Sequence, residues 1–364
     1  KGCSGDRLGQ GYKISESRGC LMDKTQIQAI VAAEKRAAIG SSTSSDLTKQ
    51  RSDALDYYLG DMDELMPTTE GHSRAVSTDV SDTVEAMLPP LMDIFTGGDE
   101  YVEFAPVGPE DEEAAAQETD YVNHVFMNEN PGFLILYNFI KDALLSKNGI
   151  IKAWWEKVES VEKETYRNLD EAGYSAIASD PEAEIIQQTP YTDEMGMARY
   201  DVVVRKAYTK GCFKAANVPP EEFGISSAAK DIPTSPYCYH KFQRSVSQLI
   251  QEGYNKDDVE GLPTTSTRGQ EDTEEGRSRD TFADESDPST TVNKAMRMVD
   301  VTEHYIRLDV DDDGVAELIK VVTAGSSEKM LGEPEEIDRM PFHSITPFPM
   351  PHRFFGRSIA DLVI

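Results

Sequence analysis

SRAVSTDVSDTVEAMLPPLMDIFTGGDEYVEFAPVGPEDEEAAAQETDYVNHVFMNENPGFLILYNFIKDALLSKNGIIKAWW, residues Ser73 to Trp155, holds the change of pattern that decides the fold. Val76, Val80, Val84, Met87, Leu88, Leu91, Ile94 and Phe95 recur at spacings of three and four, which lays them on one apolar stripe of a helix. Pro89 and Pro90 lack the amide hydrogen and clash with the preceding turn, so a kink or restart is expected there, and Gly97 and Gly98 end the helix. Tyr101 to Phe104 reads as short and extended. Pro109, Glu110, Asp111 and Glu112 then open a helix running to Asn128, with acids where the helix dipole favours them. Beyond Pro131 and Gly132, Phe133 to Lys147 is apolar on several faces, as in a buried helix, and Gly149 closes it. Ile150 to Val158 begins a strand, with Trp154 and Trp155 on opposite faces, one in the core and one at an interface.

The expected class is therefore α+β, with helices first and a mixed or antiparallel strand-rich region after. Toward the N-terminus, a helix is expected over Thr25 to Ile39, and another capped by Asp46 with Leu47, Arg51, Ala54, Leu55 and Tyr58 on one face and Gly60 as its stop. Met22 reads as the natural start, which leaves residues 1–21 as a non-native or disordered tail. Residues 22–148 form the helical region and 149–262 the strand-rich one. Within the latter, Val161 to Leu169 and Asp201 to Tyr208 are strands flanking a polar hairpin excursion, Asp170 to Met197. The prolines of Val218 to Phe223 exclude helix interior, and Ser245 to Glu252 is a short helix stopped by Gly253. Residues 263–295 are expected to be an acidic, disordered linker: between Pro263 and Thr291 eight acids accompany only Phe282 and Ala283 as apolar side chains, too little to offset the entropy of ordering. Strand hairpins resume over 296–364 at Met298 to Asp309 and Val315 to Thr323, then lead to a helix beginning near Ser358.

With 36 Lys and Arg against 66 Asp and Glu, the formal charge is −30, which argues against a surface that wraps nucleic acid by neutralising phosphates. Cys3, Cys20, Cys212 and Cys238 are dispersed without a CxxC pair, which fits a reduced, cytoplasmic setting. No apolar run approaches the roughly eighteen residues a membrane span needs, and no signal-peptide pattern opens the chain.

One motif could carry chemistry. Asp309, Asp311 and Asp313 followed by Gly314 spell DxDxDG, the opening of a calcium loop in which alternate carboxylates converge on a hard cation. Glu317 stands at the ninth position, but Lys320 takes the twelfth, where such a loop needs a bidentate acid. Alternation on both sides also reads as a β-hairpin with Asp-Gly turn chemistry, and the turn is the favoured reading over calcium as cofactor. The six histidines form no HExxH, and GxxxxGK[ST], GxGxxG and GxSxG are all missing from the sequence. No catalytic residue is assigned. The cluster Arg353-Phe354-Phe355-Gly356-Arg357 mixes cations and aromatics, and is expected to be a buried elbow more than a DNA contact.

The opening stretch, NVPPEEFGISSAAKDIPTSPYCYHKFQRSVSQLIQEGYNKDDVEGLP at Asn217 to Pro263, and FPMPHRFFGRSIADLV at Phe348 to Val363 together resemble the portal proteins of tailed bacteriophages, specifically the large P22-type portals of short-tailed phages. The resemblance implies a wing-like region of the N-terminal part of a family member, with its last helix barely begun at Ile364. It further implies a virion protein assembled in the host cytoplasm, in a homo-oligomeric ring of about twelve subunits at one capsid vertex. The implied partners are the large terminase, coat and scaffolding proteins, tail adaptor proteins, and the double-stranded DNA that passes through the channel in packaging and ejection. It implies a structural part, not an enzyme and not a membrane protein. Two other readings stand beside it: a metal-dependent hydrolase built on Asp309, Asp311 and Asp313, and another phage structural or adaptor protein.

Overall fold

The computed structural model describes residues 12–13, 22–40, 45–61, 77–98, 101–180, 183–193, 196–263, 275, 293–325 and 327–364. Most of the expected tail and most of the expected acidic linker lie outside the described residues, as does Val76, whereas Tyr12 and Lys13 of that tail are described as a short strand. Two compact units emerge, Lys1–Ala153 with Ala215–Ile364, and Trp154–Lys214. The class is α+β, as the periodicities predict.

In the larger unit, helices α1 (Lys24–Ala37), α2 (Ser45–Leu59), α3 (Asp79–Thr96), α4 (Glu112–His124) and α5 (Gly132–Leu145) precede every sheet strand but the first. Val80, Val84, Leu88 and Met92 of α3 are buried with Ala54 and Leu55 of α2 and Ile140 and Leu144 of α5. Their spacing of four is the stripe read from sequence. Two details of that reading need correction. The helix does not restart at Pro89 and Pro90, since helical residues continue through both. Both prolines are exposed, so water can take the carbonyl bonds they forfeit, while buried Leu88 and Met92 anchor the helix on either side. Ile94 and Phe95 leave the stripe, with 74% and 42% of their surface exposed.

Tyr101 to Phe104 is not a strand. It is held against α4 by side chains: Asn123 Oδ1 accepts from Tyr101 N and Val102 N at 2.9 and 3.0 Å, and Thr119 Oγ1 accepts from Phe104 N at 3.0 Å. A π-turn, Val125–Glu129, joins α4 to the break before α5.

The sheet of this unit is antiparallel and six-stranded. Its strands are β1 (Tyr12–Lys13), β5 (Phe223–Ile225), β6 (Tyr237–Ser245), β7 (Met298–Leu308), β8 (Glu317–Ala324) and β9 (Lys329–Glu336), in the order β1-β9-β8-β7-β6-β5. On one face α1 places Ile27 and Val31 against Tyr237, Tyr239, Ile306, Ile319 and Val321. The other face carries two apolar groups. Val299, Val301 and Val322 meet Val246, Leu249 and Val259 of the short helices α7 (Val246–Gln251) and α8 (Lys256–Glu260). Cys238, Tyr305 and Leu318 meet Ile150, Phe342 and Phe354. Ser245 caps α7, its Oγ accepting from Gln248 N at 3.2 Å while Gln248 Oε1 accepts from Ser245 N at 3.0 Å. Ser245→Ala is expected to cost about 1 kcal/mol in urea denaturation.

The smaller unit corrects the expected hairpin. Ile150 to Val158 and Val161 to Leu169 form one strand, β2 (Gly149–Leu169), and the polar excursion contains helix α6 (Glu171–Ala178) and strand β3 (Ala183–Thr192). With β4 (Ala198–Asn217) these give the order β2-β4-β3. Tyr174 of α6 stacks on Tyr200 at 4.8 Å above buried Val202 and Val204, so the excursion has an apolar side of its own. Neither tryptophan is core: Trp154 is half-buried and Trp155 is 55% exposed. The Trp155 ring lies over Gly211, where a Cβ would sit 2.5 Å from its Nε1.

In the larger unit the first residues of β2 pair with β10 (Phe342–Ile345), from Gly149 against Ile345 to Lys152 against Phe342. The expected elbow is confirmed as buried around Phe354 and Gly356, where a Cβ on Gly356 would lie 2.3 Å from Phe348 O. Beyond it the final helical turn spans Ala360–Val363.

Candidate functional site

Between β7 and β8 the chain makes a long loop, from Asp309 to Ala316, in place of a two-residue Asp-Gly turn. Asp312 and Gly314 adopt φ of 59° and 87°, the left-handed region that Asp tolerates and Gly enters freely. The loop brings together the three aspartates singled out in the sequence and adds Glu317: one carboxylate oxygen from each of Asp309, Asp311, Asp313 and Glu317 falls within 4.8 Å of the others. Such a set of hard oxygens could hold a divalent cation. Three of these carboxylates also have structural work. Asp309 accepts from Asp313 N at 3.2 Å and Gly314 N at 2.8 Å, Asp313 accepts from Val315 N at 2.8 Å, and Glu317 accepts from Val310 N at 3.1 Å. These bonds define a loop that folds on its own amides.

Lys320, the residue at the closing position of the motif, does not serve the loop. It lies on β8 with its Nζ 3.2 Å from Glu303. We therefore expect millimolar calcium to leave the melting temperature unchanged, because a ligand stabilises only by preferring the folded state. A bound site would add about 2.7 kcal/mol at a hundredfold excess over its dissociation constant. A rise of several degrees that Asp311→Ala abolishes would establish the loop as a metal site.

A second constellation has no counterpart among the sequence motifs. Glu303 of β7 is buried between the two apolar groups on its face of the sheet. Its carboxylate takes Lys152 of β2, Lys320 of β8 and, at 3.0 Å, the hydroxyl of Tyr305. Burial opposes its ionisation, yet the two ammonium groups prevail and hold the carboxyl down at about 2. Lys152 is pushed the other way, its pKa lowered by burial against the pull of Glu303. Its Nζ also lies 5.6 Å from the centre of the Phe242 ring, which the Arg244 guanidinium faces at 4.6 Å. His240 completes the group, 3.4 Å from Glu222, and burial keeps its pKa below the usual histidine value despite that acid. Alternation gave the signal that could have found this network: Val299, Val301, Glu303 and Tyr305 share one strand face, and Glu303 is an acid in an otherwise uncharged row.

On the opposite face, His304 is fully buried, its Nδ1 2.8 Å from Tyr237 Oη and its Nε2 2.8 Å from Thr323 Oγ1. Burial and then Lys35 of α1 push its pKa down to about 3. None of these groups is arranged as an acid and base about a cleft. They join the start of β2, the sheet and α1 into one polar framework.

A model of the family described as phage SU10 portal protein matches residues 27–364 of this chain. A search of curated proteins returned no match.

Proposed function

We propose a role that proceeds from one fact: the chain belongs to the phage SU10 portal protein family, and it is a phage portal subunit of the virion. In this reading the subunit joins a ring of about twelve copies at one capsid vertex, the closed heterologous symmetry of such assemblies. The packaging motor, the large terminase, docks on the ring. Coat and scaffolding proteins surround it during assembly in the host cytoplasm, and tail adaptors attach after filling. Double-stranded DNA passes through the bore in packaging and again in ejection, as in the P22-type portals of short-tailed phages that the sequence resembles.

The family match is the observation that carries this reading. The charge of −30 agrees with it, since a negative protein repels DNA and lets it slide instead of gripping its phosphates. A portal family is structural in its work, and no observation favours the hydrolase reading: in the acidic loop Asp309 and Asp313 spend oxygens on backbone amides. The test is antibody labelling of intact virions by electron microscopy. Label at a single vertex of each particle is expected, and label over the whole shell or confined to the tail tip would overturn the proposal.

A further inference from the structure

Arg51, on the apolar face of α2, is 1% exposed. Its guanidinium donates to three neutral oxygens: Nε to Ser146 O at 3.2 Å, Nη1 to Pro220 O at 3.1 Å and Nη2 to Asn148 Oδ1 at 3.2 Å. The Phe355 ring lies under it, 5.1 Å from Cζ to the ring centre. Three separate stretches of chain thus wall in a cation that cannot shed its proton. Neutral acceptors satisfy its donors and leave its charge uncompensated, and a buried charge is costly unless an opposite one neutralises it.

The wall also holds a spare donor. Asn148 is fully buried, its Oδ1 is committed to Arg51, and its Nδ2 has no acceptor among the described residues. A permanent, enclosed cation is the anchor of a carboxylate receptor. Glu275 is fully buried too, and its Oε2 lies 3.5 Å from Arg51 Nη1. In sequence it belongs to the acidic stretch between Pro263 and Thr291, far from α2.

We propose that Arg51 is a docking point for a carboxylate, and that its occupant is Glu275, which fastens the acidic stretch to the body of the larger unit. Composition cannot supply this fastening, since the stretch has almost nothing apolar to bury. One neutralised ion pair supplies it. The pin takes one carboxylate because Arg51 is enclosed and has room for a single acidic side chain.

The test uses the full chain and trypsin under native conditions. Arg277 lies two residues beyond the pin and Arg268 seven before it, so one segment carries both a guarded site and a reference site. Cleavage of a locally opened state tracks the population of that state, so Glu275→Gln is expected to speed cutting after Arg277 by about tenfold. Cutting after Arg268 should change little, and Glu274→Gln should behave as the unsubstituted chain. Hydrogen exchange over residues 272–279 should accelerate in Glu275→Gln alone. Unchanged cutting after Arg277 in Glu275→Gln, or an equal increase in Glu274→Gln, would overturn the proposal. Both readouts concern this chain by itself and stand whether or not it forms a portal ring.

Discussion

Glu303→Ala is expected to destabilise the protein by about 3 to 5 kcal/mol in chemical denaturation, the range for removing one partner of a buried ion pair. The missing hydrogen bonds are the lesser part of that cost. Lys152 and Lys320 would remain with side chains only 13% and 25% exposed, between two apolar groups and without the carboxylate that compensates them. The stranded charges should therefore dominate, and a design can separate the two contributions. Replacing the whole triad, Lys152→Met, Glu303→Leu and Lys320→Met, removes the same ion pairs but strands nothing. Apolar replacement of a complete buried ionic group is often neutral or better. We expect the triple variant to recover most of the loss. A triple variant as unstable as Glu303→Ala would show that the ion pairs themselves hold β2 to the sheet.

The triad also marks where sequence reading stops. The α3 stripe, the α7 cap and the β7–β8 hairpin are local patterns whose partners lie within a few residues, and each is legible in the chain. Glu303 meets Lys152 across 151 positions, and Arg51 meets Pro220 across 169, so no window of sequence contains both partners. Periodicity sets Arg51 on the buried face of its helix, but it names a face and says nothing of what waits there. Strand β9 escapes sequence reading for a different reason. Its sequence, KMLGEPEE, has no clean alternation and holds a proline, and its strand state comes from pairing with β8 through a register shift. The prolines of α3 mislead through weighting: the local penalty is real, but tertiary anchoring by Leu88 and Met92 outweighs it where the prolines face water. At the acidic loop the sequence names Asp309, Asp311 and Asp313 correctly as neighbours, and cannot foresee that Asp309 and Asp313 engage the loop's own amides.

Acid should unfold this protein through a histidine before its many carboxylates matter. His304 has a folded-state pKa of about 3, depressed by burial and by Lys35, against an ordinary value of 6.5. Glu303 opposes that depression, and the hydroxyls of Tyr237 and Thr323 are its hydrogen-bond partners. For a base with a depressed pKa, the unfolded chain binds the proton first. Its contribution is complete above the unfolded value of 6.5 and is lost as pH falls toward the folded value. Across that window one differential proton corresponds to about 1.4 kcal/mol per pH unit, or about 5 kcal/mol in all. His240, also held neutral by burial, adds in the same direction. Below pH 4.5 Glu303 joins them, because its carboxyl is depressed to about 2 and the unfolded state again takes up its proton first. Relief of repulsion among 66 acids works the other way as they neutralise. It sets in mainly at the carboxylate range, so the interval from about pH 6.5 to 5 isolates the histidines. Denaturation series through that interval should show stability falling by about one proton's slope from His304, with His240 adding in the same direction. His304→Gln keeps hydrogen-bonding capacity and removes the titration, so its stability should be lower at about pH 7 but flatter with pH. An equally steep fall in His304→Gln would mean that the proton taken up on unfolding belongs elsewhere.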